Sequence, residues 1–117
     1  MNKVYHLSNC GTCAKIIKSL NMPGGFVYQN IKEEKITTQQ IEAMHKLAGN
    51  YEALFSRRAM KYRQLGLNEM QLTEADYKKY ILEEYTFLKR PVFMVNNQIF
   101  IGNAKKTVEA LAILLSS

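Results

Sequence analysis

The sequence predicts an α/β fold, a four-stranded mixed sheet with helices on its faces and a helical insert between its two halves. Three observations predict it. Strand, helix and strand signals follow one another from Lys3 to Asn30; two strand signals joined by Asn96-Asn97 precede a closing helix; and the stretch of about residues 37–85 between them reads as helical. A β-α-β unit makes a right-handed crossover between parallel strands, and a hairpin adds antiparallel ones, so this order gives a mixed sheet. With 117 residues the chain is expected to form one domain, 1–117, with an adequate core.

Each element has a local reason. Lys3 to Leu7 carries β-branched and aromatic types and reads as a strand. Gly11 to Asn21 reads as a helix with Ile16, Ile17 and Leu20 on one face, ended by Pro23-Gly24-Gly25. Phe26 to Asn30 reads as the second strand. Thr37 and Gln40 fit a capping box, with Ile36 and Ile41 as its hydrophobic staple, and Ile41, Met44 and Leu47 or Ala48 continue the apolar face to Gly49-Asn50. Tyr51 to Leu67 reads as a broken helical stretch carrying Leu54, Phe55, Met60, Tyr62 and Leu65, and Gly66 stops it. Thr73 and Asp76 fit a second capping box, followed by Tyr77, Tyr80 and Ile81 at helical spacing. Pro91 to Val95 and Gln98 to Ile101 read as strands around a two-residue Asn-Asn turn, since asparagine tolerates positive φ. Asn103 is the expected cap of a last helix that faces Val108, Leu111, Ala112 and Leu115 inward.

The only two cysteines, Cys10 and Cys13, stand three apart at the first strand-to-helix turn. A Cys-x-x-Cys at such a turn is a redox signature. Residues three apart on a helix lie roughly 5 Å apart, within disulfide range. The unpaired N–H groups and dipole of a helix start favour a thiolate, which is the reactive form. Cys10, at or just before the first turn with Gly11 leaving its sulfur accessible, is the expected nucleophile. Cys13, one turn in and partly covered, is the expected resolving thiol. A structural reading would leave both as buried, inert thiols. A zinc site needs two more ligands, and His6 and His45 show no paired spacing, so no metal is expected.

This order of elements, with the Cys-x-x-Cys at that turn, is the thioredoxin layout. Arg90-Pro91 stands at the entry to the third strand, where a proline can be cis and where the layout sets the loop against the cysteine turn. Arg90 there, and Arg58 from the insert, would lower the Cys10 pKa and hold an oxyanion by paired hydrogen bonds. The competing reading makes them surface residues ion-paired to Glu83 or Glu84.

The formal charge is +6. Its basic residues are scattered apart from Arg57, Arg58, Lys61 and Arg63, so no direct nucleic-acid face is expected. No apolar run reaches the roughly 18–20 residues that span a membrane, and the start of the chain lacks a signal-peptide core. A cytoplasmic location with no membrane contact is the expectation.

Asn9-Cys10-Gly11-Thr12-Cys13, Ser56-Arg57-Arg58 leading to Tyr62 and Leu65, Leu88-Lys89-Arg90-Pro91, and Phe100-Ile101-Gly102 before the last helix together resemble the arsenate reductase (ArsC) and Spx family, a thioredoxin-like branch. The resemblance covers nearly the whole chain. For an arsenate reductase it implies attack on arsenate by Cys10, with glutathione and glutaredoxin as electron donors and no bound cofactor. Of the three arginines that hold the oxyanion in such enzymes, two match Arg58 and Arg90, while Gly102 stands at the third. Spx-like members, which share the Cys-x-x-Cys and that glycine, use the pair as a redox switch and bind the C-terminal domain of the RNA polymerase α subunit. The expectation is therefore a thiol-dependent oxidoreductase acting on a small oxyanion or disulfide. Its catalytic residues would be Cys10, Cys13, Arg58 and Arg90, and Gly11, Thr12 and Pro91 would contact the thiol donor. The alternative is an Spx-like regulator docking on the polymerase.

Overall fold

The computed structural model describes residues 2–116; Met1 and Ser117, the ends of the expected 1–117 domain, lie outside the described residues. The chain divides into two compact units, one running up to Glu34 and resuming at Arg90, the other Lys35–Lys89.

The first unit holds the sheet. Strands β1 (Lys3–His6), β2 (Val27–Asn30), β3 (Val92–Val95) and β4 (Gln98–Ile101) lie in the order β2-β1-β3-β4. β1 pairs parallel with β2, while β1–β3 and β3–β4 are antiparallel. With helices α1 (Gly11–Ser19) and α5 (Lys105–Leu115) this is the mixed four-stranded sheet of a thioredoxin-like fold. Alternation along the strands sorts the side chains. Val4, Phe93 and Val95 form one buried cluster with Leu20 and Leu111, against which Ile16, Ile17 and Val108 of the two helices pack. Tyr5 and Val92, directly opposite each other in the β1–β3 register, are buried as well. Asn96 and Asn97 close the hairpin at φ 49° and 63°, the two positive values that such a turn requires.

Three local expectations are corrected. Helix α1 ends at Ser19, not Asn21, because Asn21 itself adopts a left-handed conformation at φ 51° ahead of the Pro-Gly-Gly segment. Ala104, not Asn103, is the N-cap of α5, and it makes no side-chain cap bond. On α5 Val108, Leu111 and Leu115 face the sheet as expected, but Ala112 is exposed and Leu114 packs inward in its place.

The second unit contains α2 (Thr38–Ala48), α3 (Met60–Gln64) and α4 (Glu74–Glu83), joined by 3-10 turns at Glu52–Leu54, Leu67–Glu69 and Tyr85–Phe87. Both capping boxes form: Thr37 with Gln40, and Thr73 with Asp76. Gly49 and Gly66 stop their segments at φ 93° and 72°. Phe55 stacks on Phe87 at 5.0 Å between ring centres and tilts against Tyr77 at the same distance. Met60 and Leu65, expected among the apolar positions of this stretch, are exposed instead, because α3 is too short to present a continuous face.

Candidate active site

Strand β1 delivers the chain into a turn at Ser8-Asn9, and the Cys10 N–H closes it by donating to the Leu7 carbonyl at 3.1 Å. The Asn30 side-chain amide, from the end of β2, donates to Ser8 Oγ at 2.8 Å and ties this turn to the sheet edge. Sequence reasoning missed that link, since the two residues are 22 apart and nothing local announces it. Cys10 is the N-cap of α1, with extended φ and ψ of −98° and 111°, and its carbonyl accepts the Ala14 N–H at 3.1 Å. Cys13 therefore falls at the third helical position, beside the helix start.

The two thiols are free, but they sit in different surroundings. Cys10 is half-buried, whereas Cys13 is only 1% exposed. Burial alone would raise the Cys10 pKa, and it is the largest single influence. It is outweighed by the Cys13 N–H, the Cys13 thiol, the Thr12 N–H and the charge of Arg90, so Cys10 is held below the ordinary thiol value. For Cys13 burial dominates. The neighbouring Cys10 sulfur adds to it, and the thiol is pushed up to about 11 despite help from the Leu7 backbone and Arg90. One sulfur is thus prepared to be an anion and the other to keep its proton.

Arg90 and Pro91 belong to the same unit as the cysteines. Their peptide bond is cis, Pro91 is buried, and the Pro91 carbonyl accepts the Gly102 N–H at 2.9 Å. The positive charge of Arg90 acts on both sulfurs. Gly11 and Thr12 are exposed in the first turn, and a Cβ at Gly11 would meet no atom within 4 Å.

The structure brings together Cys10, Cys13, Gly11, Thr12, Arg90 and Pro91 in one unit; Arg58 lies in the other. It is exposed just before α3, and its N–H bonds Ser56 Oγ at 3.3 Å. Its neighbour Arg57 is occupied structurally, bonding Glu52 and the Tyr77 hydroxyl, each at 2.8 Å. Glu84, a suggested partner for the arginines, pairs with Lys61 at 3.4 Å. His45 is half-buried and stacks on Tyr51 at 4.1 Å. Among the described residues no group of three or more His, Cys, Asp or Glu could hold a metal ion, and no helix is long and apolar enough to cross a membrane.

The same arrangement of elements occurs in solved proteins. An ArsC family related protein from Bacteroides fragilis is 21% identical, with a TM-score of 0.77 over 94% of this chain and 97% of that one. An arsenate reductase from Vibrio cholerae is 17% identical, with a TM-score of 0.76 over 96% of each chain. An arsenate reductase related protein from Brucella melitensis is 22% identical, with a TM-score of 0.70 over 93% of this chain and 92% of that one. At these identities the likeness carries the fold. No curated protein matches the chain. A model of the ArsC family matches residues 5–111, and with that match over most of its length the chain belongs to the ArsC family.

Proposed function

We propose that this chain is a thiol oxidoreductase in which Cys10 is the nucleophile and Cys13 the resolving thiol. The observation that carries the reading is the split between the two sulfurs: Cys10 lowered at the helix start and Cys13, almost fully buried, pushed up to about 11. With a disulfide substrate, the Cys10 thiolate attacks one sulfur, the substrate S–S bond breaks, and the first thiol leaves, taking a proton from solvent. Cys13 then gives up its proton and attacks the Cys10 sulfur, releasing the second thiol. The substrate gains two electrons and the protein holds a Cys10–Cys13 disulfide. A low-molecular-weight thiol such as glutathione, with or without glutaredoxin, reduces it again. Arg90 favours the thiolate and the developing negative charge, and Arg58 is the second proposed cation. Gly11, Thr12 and Pro91 border the thiol donor's approach.

Arsenate is the other candidate substrate for the same thiolate. Gly102, at the position of the third oxyanion arginine in the resembling enzymes, has φ 84°, a conformation side chains rarely adopt. That favours a disulfide over arsenate. The same glycine supports the regulator reading, in which the disulfide of an Spx-like protein changes its binding to the RNA polymerase α subunit. The deciding experiment compares wild type with Cys10→Ser. Turnover of a disulfide or of arsenate with glutathione and glutaredoxin, lost in the variant, supports the oxidoreductase. No turnover with any thiol donor, together with polymerase binding that depends on oxidation, supports the regulator and overturns the enzyme.

A further inference from the structure

A cavity of about 330 Å³ lies on the flank of α1 toward β2, apart from either thiol. Leu7, Ala14 and Ile17 give it aliphatic walls, and the rings of His6 and Tyr28, meeting edge-on at 6.0 Å between centres, give it an aromatic one. Burial lowers the His6 pKa, despite an opposing bond to the Leu7 backbone, so the ring is uncharged at neutral pH. Among the described residues Lys18 is the only charged side chain lining the cavity. Among the described residues no carboxylate pairs with it, although three other cations of the chain are so paired.

Pockets of this size with apolar walls and a cation at the solvent edge accept small ligands whose shape and charge match. We propose that this cavity binds a small arylalkyl carboxylate, its ring against His6 and Tyr28 and its carboxylate at Lys18. The volume suits one ring with a short chain. A cation would face Lys18 unfavourably, and a neutral ligand would gain nothing from its charge. The site uses neither cysteine, so it stands or falls independently of the thiol chemistry.

The test is a titration of the full chain with 3-phenylpropionate, 3-phenylpropanamide and 2-phenylethylammonium, followed by amide chemical shifts. The acid is expected to saturate at roughly millimolar concentration. Its shift changes should centre on His6, Ala14, Lys18 and Tyr28, with the amide weaker by about threefold and the ammonium weaker still. Lys18→Glu should reverse the order of acid and ammonium, and Lys18→Arg should restore it. Both changes are on a solvent-facing residue, and an unchanged spectrum elsewhere checks the fold. Equal binding of acid and amide, shift changes centred outside the cavity, or no saturation with any of the three overturns the proposal.

Discussion

The Cys10 and Cys13 thiols share a side-chain hydrogen bond that moves their acidities in opposite directions, lowering Cys10 and raising Cys13. The bond gives the Cys10 thiolate a donor, and it binds the Cys13 proton in place. The pair therefore loses its first proton from the accessible sulfur, and the second only with difficulty. Alkylation by iodoacetamide should reflect this. Cys10 should react at lower pH than an ordinary thiol, and faster than Cys13 at every pH tested. Mass mapping of the labelled peptides against pH measures it, and equal slow labelling of both would remove the electrostatic basis of the site.

Arg90 contributes to the Cys10 shift less than the Cys13 backbone and thiol do. Arg90→Ala should accordingly raise the Cys10 pKa only slightly, because one charge partner is lost while the helix-start donors stay. Cys13→Ala keeps the N–H but removes the thiol donor, and should raise it more. Thiolate ultraviolet absorbance during a pH titration gives both values. A larger effect from Arg90→Ala would make the guanidinium the principal activator.

Much of the fold was legible because its signals are short-range. A capping box needs only four residues, so Thr37-Gln40 and Thr73-Asp76 could be read directly, and both form. The Asn96-Asn97 turn is equally local. The end of α1 was misread because Pro23-Gly24 looked like the stronger stop, although Asn21 can end a helix by itself. The phase of α5 is legible from Val108, Leu111 and Leu115, but Ala112 and Leu114 both fit the edge of that apolar stripe, and packing on the sheet decides between them. At the site, the Cys-x-x-Cys spacing was readable. The Asn30–Ser8 bond and the cavity beside α1 were not, since both depend on which strands pair.

The capping boxes have a measurable worth. Thr37→Ala and Thr73→Ala each remove the acceptor for an N3 N–H, bonded at 3.1 and 3.3 Å. Each should cost about 1 kcal/mol. The two boxes belong to different helices, so their costs should add within about 0.5 kcal/mol. Urea denaturation of the single and double variants checks this, and a sum well short of additive would show that the two helix starts are coupled.

Cys13 links stability to alkaline pH. Its folded pKa of about 11 lies above the ordinary 9.0, so the folded chain holds this proton more tightly than the unfolded chain. The resulting stability is complete below about pH 9 and is lost as pH rises toward 11. The amount is on the order of 2 kcal/mol. Cys10, shifted down, works in the opposite sense, so the comparison belongs in a Cys10→Ser background. There Cys13→Ala should be less stable at neutral pH, having lost a buried side chain, yet should show a flatter decline above pH 9. Parallel curves for the two proteins would mean that Cys13 does not carry the linkage.

Gly102 separates backbone from side-chain effects. Its φ of 84° disfavours any residue with a Cβ, while a Cβ placed there would meet nothing within 4 Å. A Cβ there should therefore cost conformational rather than steric energy. Gly102→Asn should be mild, because asparagine enters this region readily. Gly102→Arg, which supplies the arginine that arsenate reductases have at this position, should cost about 1–2 kcal/mol. An assay of arsenate turnover alongside denaturation then has a clear reading. Arsenate turnover no higher than that of the unaltered chain, together with lost stability, means that supplying the guanidinium at this loop is not enough to add arsenate chemistry. Arginine as stable as glycine would mean that the loop leaves positive φ at little cost.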